Sequence, residues 1–406
     1  MADLEEHGAL ACELRVELTQ RILPYWLEHA IDTEHGGFVG RIHQDGVVVS
    51  RSPKGAVLNG RILWTFAAAY RVIGDAVYGR AAERAYRYMV DQFVDPVHGG
   101  VYWTLDHLGR PLDTTKKIYA QAFAMYGLSE YYRAFGDPDA LEEAAQLLGL
   151  IETRGHDAEF GGYLESFGRS WEDLEDVRLS DKDMNAAKSM NTHLHVLEAY
   201  ANLLRVWEND LLRRRVKRLV ELIVDIIADP NTAQMRLFFD RDWTLRSNVT
   251  SFGHDVEASW LLLDAVDVLG DVDLRDRVLE LSLTLAQITL EQGLDDDGGL
   301  FYEKAADGTI DTDKHWWPQA EAVVGFLYAH RESGERRFLD AAISAWDFIK
   351  RHVLDPEGGE WFGRLHRDGT PYEAEDKVGL WKCPYHNARA CIEGMALANV
   401  IERLGI

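Results

Sequence analysis

The side chains that could do chemistry interrupt segments that otherwise read as apolar helix. Asn191 and His195 stand four residues apart in MNTHLHVLEAY, and Glu198 follows three residues later on the same helical face. His254 and Glu257, three apart in SFGHDVEASWLL, can be mutual neighbours on another face. Trp317 and Glu321 lie in HWWPQAEAVVGF, Trp381 and His386 in LWKCPYHNARACIE, Tyr119 in KKIYAQAF and Arg61 in LNGRILWTF. Three chemistries could use such a set. His195, His254, His386 and Glu257 offer nitrogen and oxygen ligands to a metal, but no HExxH or HxxxH pair occurs among them. Glu257 and Glu321 could serve glycoside hydrolysis, which needs two carboxylates flanking the bond, but the histidines would then have no role. Proton transfer uses the whole set. Imidazole titrates near neutral pH, so two rings on opposite sides of a carbon next to a carbonyl could remove and return its proton. A carboxylate would fix one ring's tautomer, and Arg61 would hold the enediolate oxygen.

Not every polar residue belongs to this set. His193 lies two residues from His195, about 200° round a helix, and is read as packing or as support. His35 and His98 precede Gly-Gly pairs and are read as turn residues. Trp316, Trp317 and Trp381 are either core aromatics or, for Trp317 and Trp381, stacking faces for a sugar ring. No GxGxxG or P-loop is present, so no nucleotide and no cofactor is expected, and no metal.

The elements that must position these residues repeat. A Gly-Gly pair returns in HGGFVGRIHQDG, HGGVYWTLDHLGR, FGGYLESFGR, DGGLFYEKAADG and GGEWFGRLHRDG. Second glycines at 37, 100, 162, 299 and 359 are separated by 63, 62, 137 and 60 residues. The long gap is about two periods, and RLFFDRDWTLR at 236–246 fills it as a degenerate copy without glycines. Between the pairs, stretches such as 81–93, 141–153, 194–207 and 341–352 show helical periodicity. Two helices per unit predict twelve helices in six hairpins, with a short β-hairpin at each Gly-Gly. Six hairpins close most simply into an all-α (α/α)6 barrel over 1–406 as a single domain, and an open solenoid is the alternative. In the closed ring the starts of the second helices converge on one mouth, where helix N-termini add partial positive charge.

Composition narrows the partners. The chain has 406 residues, and its 43 Lys and Arg against 68 Asp and Glu leave a net charge of −25. A surface so acidic argues against nucleic acid and against an anionic membrane. No apolar run approaches the ~20 residues of a membrane span. The acidic start MADLEEHGALACELRVEL lacks a signal-peptide pattern. Three cysteines without CxxC spacing predict neither disulfide framework nor zinc ribbon, and a cytoplasmic monomer is expected.

KSMNTHLHVLEAY, SFGHDVEASWLL, KHWWPQAEAVVGF and WKCPYHNARACIE together resemble the N-acylglucosamine 2-epimerase superfamily, and within it the cellobiose 2-epimerases. The resemblance runs nearly the whole length. It implies an α/α barrel and metal-free, cofactor-free epimerisation at C2 of the reducing-end glucose of β-1,4-linked disaccharides. It also implies that His254 and His386 are the acid/base pair, that His195 and Glu257 assist them, and that Arg61 holds the substrate oxygen. Tyr119, Asp183, Asn191, Trp317 and Trp381 match sugar-binding positions, and Glu321 is grouped with them. Gly60 departs from the Ala or Ser expected beside Arg61, which suggests a locally looser helix.

Overall fold

The computed structural model describes residues 2–404, with side chains from 6 to 400. Helices α1 (Ala2–Glu17) and α2 (Leu23–His29) form one column through a π-helical turn at Leu18–Ile22. The rest are α3 (Ala56–Ile73), α4 (Ala76–Tyr88), α5 (Ile118–Phe135), α6 (Pro138–Leu150), α7 (Met190–Leu204), α8 (Asp210–Leu222), α9 (Phe252–Leu269), α10 (Val272–Ile288), α11 (Trp316–Ser333), α12 (Arg336–Phe348) and α13 (Tyr385–Leu404). Counting α1 and α2 as one column, the described residues form the twelve helices expected. Helices α3, α5, α7, α9, α11 and α13 pack side by side, and α13 returns to α3, so the ring is closed rather than an open solenoid. The other helices lie outside it, each against an inner helix.

Local chemistry explains the alternation. Inner helices are apolar nearly all round, as buried helices must be, and every residue of α3 from Ala56 to Ala69 is buried. Outer helices are amphipathic and bury one stripe, such as Leu212, Val216, Leu219 and Val220 of α8. An inner helix passes to an outer one through a tight turn. Gly74, Gly136 and Gly270 end helices at φ of 83°, 70° and 67°, and Asp75, Asp137 and Asp271 then cap the next helix. All longer connections therefore lie at the other end, around the N-termini of the inner helices.

The Gly-Gly segments form turns there, and their two-residue strands also tie each unit to the next. Lys54–Gly55 pairs with Thr104–Leu105, Lys116–Lys117 with Ser166–Phe167, and Lys188–Ser189 with Phe238–Phe239. Asp376–Val378 pairs back with Ile42–His43 and completes the circuit. Lys54, Lys116, Lys188, Lys314 and Lys377 are buried and meet Asp32, Asp95, Asp157, Asp295 and Asp355 beside the turns. The degenerate unit has Thr250 in place of this lysine, and Ala233 takes the positive φ, 64°, that glycine has elsewhere.

Gly60 is not a loosening. A Cβ there would lie 2.8 Å from the Phe123 carbonyl oxygen, and one at Gly127 would lie 2.7 Å from that of Gly60. These glycines let α3 and α5 approach closely, which brings Arg61 to Tyr119 and Phe123. The three cysteines are free. No helix among the described residues is long and apolar enough to cross a membrane.

Candidate active site

Two layers of side chains occupy the mouth. Arg61, His195, Glu257 and Glu321 are each the sixth residue of their inner helix and form the floor. Tyr119, Asn191, Trp317 and His386 are second residues and His254 is a third, so they stand nearer the opening. The mouth thus gathers the candidates from separate helices.

Each of the three rings has its Nδ1 engaged. His195 Nδ1 lies 2.8 Å from Glu198 Oε2, and His386 Nδ1 lies 2.6 Å from Glu321 Oε1. His254 Nδ1 lies 2.9 Å from Ser251 Oγ. The i, i+3 pairing expected between His254 and Glu257 does not form. His254 turns back to the residue before its helix, while Glu257 Oε1 accepts a 2.6 Å bond from Arg389. Among the described residues, no protein group bonds Nε2 of these three rings. The ring of Trp317 lies 4.7 Å from His254 and 5.7 Å from His386, centre to centre, and so joins the two. Gly253 permits this, because a Cβ there would lie 2.6 Å from the Trp317 ring.

Electrostatics keep the imidazoles neutral at rest. Burial, followed by the neighbouring His195, pulls His254 down to about 3, and burial also lowers His195 and His386. Burial opposes the ionisation of Glu198, but Arg389 and the bonded His195 hold it at about 2. Glu257 goes the other way. Burial and the adjacent Glu321 push it up to about 8, which favours its acid form, and among the described residues its Oε2 has no hydrogen-bond partner.

Arg61 is buried without a carboxylate partner among the described residues. Its Nη2 donates to Tyr119 Oη at 3.0 Å, its guanidinium lies 4.2 Å from the Phe123 ring centre, and its Nε is unpaired. A buried cation of this kind awaits an anionic or polar ligand. Asn191 Oδ1 and Trp316 Nε1 are likewise buried and unpartnered. Trp381 lies at 5.8 Å from both Tyr119 and Trp103. Asp183 is on the long 168–187 connection, bonded to Ser180, and its charge adds to the burial and the nearer carboxylates that raise Tyr302 and Glu303.

One expectation changes. Glu321, grouped with the sugar-binding residues, has both oxygens engaged by protein: Oε1 by His386 and Arg389, Oε2 by Trp260 at 2.9 Å. It backs a ring instead. Arg389 was missed by sequence reasoning, although its position three residues after His386 was a signal. His193 clamps backbone, with Nε2 accepting from Tyr163 N at 2.8 Å and Nδ1 donating to Ser189 O at 2.6 Å. Gln121 and Gln319 do the same at equivalent positions.

Glu257, Glu321 and His386 offer ligand atoms within 4.8 Å of one another, close enough for a metal ion. Arg389 Nη2 already bridges both carboxylates, at 2.6 and 2.7 Å, and supplies the cation that this charge needs. The shared bond also sets the two carboxylates side by side, whereas hydrolytic pairs stand about 5–9.5 Å apart across a bond.

The sequence model of the N-acylglucosamine 2-epimerase (GlcNAc 2-epimerase) family matches residues 36–390. The chain belongs to this family. It is 50% identical over 382 residues to a cellobiose 2-epimerase of Bacteroides fragilis, covering 94% of this chain and 97% of that one. The solved cellobiose 2-epimerase of Bacillus thermoamylovorans superposes with a TM-score of 0.92 at 40% identity, covering 96% of this chain and 99% of that one. A D-mannose isomerase structure shares the fold, with a TM-score of 0.84 at 24% identity over 95% of this chain and 97% of that one. The family member described here is an isomerase of the carbohydrate-epimerase type.

Proposed function

We propose that this epimerase inverts C2 of the reducing-end glucose of a β-1,4-linked disaccharide without a cofactor, turning cellobiose into glucosyl-mannose and lactose into epilactose. The observation that carries the reading is the pairing of His254 and His386 across Trp317, above a buried Arg61 that has no carboxylate partner among the described residues. The 50% identity to a cellobiose 2-epimerase of Bacteroides fragilis supports the same substrate class.

The cyclic sugar lies against the tryptophan faces. As the C1–O5 bond breaks, the proton of O1 is passed by way of an imidazole Nε2 to O5. This opens the ring to the aldehyde. One imidazole Nε2 removes the C2 proton, and the electron pair forms C1=C2 while O1 becomes the enediolate oxygen. Arg61 stabilises that oxygen, and Glu257 in its acid form donates from Oε2. The opposite imidazole, neutral at rest, takes up a proton from solvent as the enediolate charge develops and delivers it to the other face of C2, and the first ring gives its proton back to solvent. The ring then closes in the manno configuration. A ring backed by a carboxylate holds the transient imidazolium, as in other histidine–carboxylate pairs.

Product analysis tests the substrate class. With cellobiose the expected product is glucosyl-mannose with no free glucose, and turnover of glucose, mannose or N-acylglucosamine should be much slower. Release of monosaccharide would mark a hydrolase. Preference for a monosaccharide would move the chain to the mannose isomerase or N-acylglucosamine 2-epimerase activity of its relatives.

A further inference from the structure

The reaction above assigns no step to Arg389, yet this guanidinium, 1% exposed, holds together the floor of the mouth. Its Nη2 donates to Glu257 of α9 at 2.6 Å and to Glu321 of α11 at 2.7 Å. Its Nη1 donates to Glu198 of α7 and to Tyr385, whose hydroxyl also donates to Glu198. Two of these three carboxylates bond a histidine Nδ1: Glu198 to His195 and Glu321 to His386.

We infer that Arg389 is a positioning residue that keeps Glu198 and Glu321 ionised and thereby fixes the Nδ1–H tautomer of both His195 and His386. This rests on the reading of these rings as proton carriers and helpers. An ionised carboxylate only accepts, so the Nδ1 it touches must carry the hydrogen and Nε2 keeps its lone pair. Three buried carboxylates this close cannot all ionise without a cation. With Arg389 present, Glu257 alone takes the acid form. Without it, a further proton must be bound, and Glu198 or Glu321 would receive it at an oxygen that faces an imidazole. That carboxylic acid would donate to Nδ1 and move the ring's hydrogen to Nε2, so the ring could no longer act as a base. The same tautomer error costs ~10⁴ in kcat in a serine protease triad.

The test is ¹⁵N NMR of histidine-labelled resting enzyme without sugar, with resonances assigned through His195→Gln and His386→Gln. The native protein should show protonated Nδ1 and unprotonated Nε2 for both rings. Nε2–H on either ring would overturn the inference. Arg389→Met should move at least one ring to Nε2–H and lower kcat by ~10²–10⁴, with KM changed by no more than about threefold, whereas Arg389→Lys, which keeps the cation, should retain more of the native tautomers and of kcat than Arg389→Met. A folded Arg389→Met variant with native tautomers and kcat within about threefold would contradict it. Glu198→Gln serves where those variants do not fold. Its amide oxygen is claimed by Arg389 and Tyr385, so its NH2 faces His195 and should force Nε2–H there. Retained Nδ1–H on His195 would refute the mechanism. The tautomers are read without turnover, so this result stands or falls separately from the identity of the substrate.

Discussion

The third and fourth units share a frame and use it differently. Helices α7 and α9 both begin after a serine. Ser189 accepts from Thr192 N at 3.1 Å and caps its helix, while Ser251 makes no capping bond and holds His254 instead. The third unit has a glycine turn and Lys188, which donates to Gly161 O at 2.7 Å and Arg241 O at 2.6 Å and meets Asp157 at 3.0 Å. The fourth has Ala233 and Thr250 at those places. Its histidine is backed by a hydroxyl, whereas His195 and His386 are backed by carboxylates. A neutral hydroxyl orients a ring without stabilising its charge, and a carboxylate does both. The repeat that departs most from the pattern thus contributes the ring with the least support for an imidazolium.

That contrast can be broken by mutation. His254→Ala and His386→Ala should each lower kcat by ~10²–10⁴ with little change in thermal stability, measured by steady-state kinetics beside calorimetry. Activity near the native level in either variant would remove the acid/base pair. Glu321→Gln removes the charge behind His386 and should cost ~10² or more in kcat, measured at saturating sugar. On the structural side, Lys188→Met should destabilise the fold by about 3 kcal/mol in denaturant titration, because it removes one partner of a buried ion pair. The fraction that remains folded should keep its kcat.

The pH profile sharpens the account of Glu257. Its folded value of about 8 lies above the ordinary carboxylate value of 4.5, so the native state holds this proton more tightly than the unfolded chain, and the stability it contributes is lost as pH rises from 4.5 to about 8. If the acid form is the donor, kcat/KM should fall about tenfold per unit above that pH, and Glu257→Gln should lose this alkaline limb. The smallest effect belongs to Ser251→Ala. Loss of one neutral hydrogen bond, about 1 kcal/mol, should slow turnover roughly fivefold, far less than Glu321→Gln. Equal losses in the two variants would erase the distinction between the hydroxyl-backed and carboxylate-backed rings.

Much of this frame was legible because short-range patterns encode it. Gly-Gly spacing set six units, and helical periodicity placed His195, His254 and His386 on inner helices. The i, i+3 relation put Glu198 on the face of His195, where the two bond. The same relation misled at His254, where Ser251 lies as close on the N-terminal side as Glu257 does on the other. Spacing alone does not choose between them. Arg389 was hidden for a different reason, since its carboxylate partners come from α7, α9 and α11, far away in sequence. The fourth turn was blurred because Ala233 adopts a backbone conformation that composition associates with glycine.

The central claim is that solvent-exchangeable imidazole protons reach C2 of the sugar. Incubation of cellobiose with the enzyme in D₂O, followed by proton NMR, tests it directly. The account predicts an epimer with deuterium at C2. An epimer that keeps its original hydrogen at that carbon would show a direct shift and contradict the two-histidine mechanism.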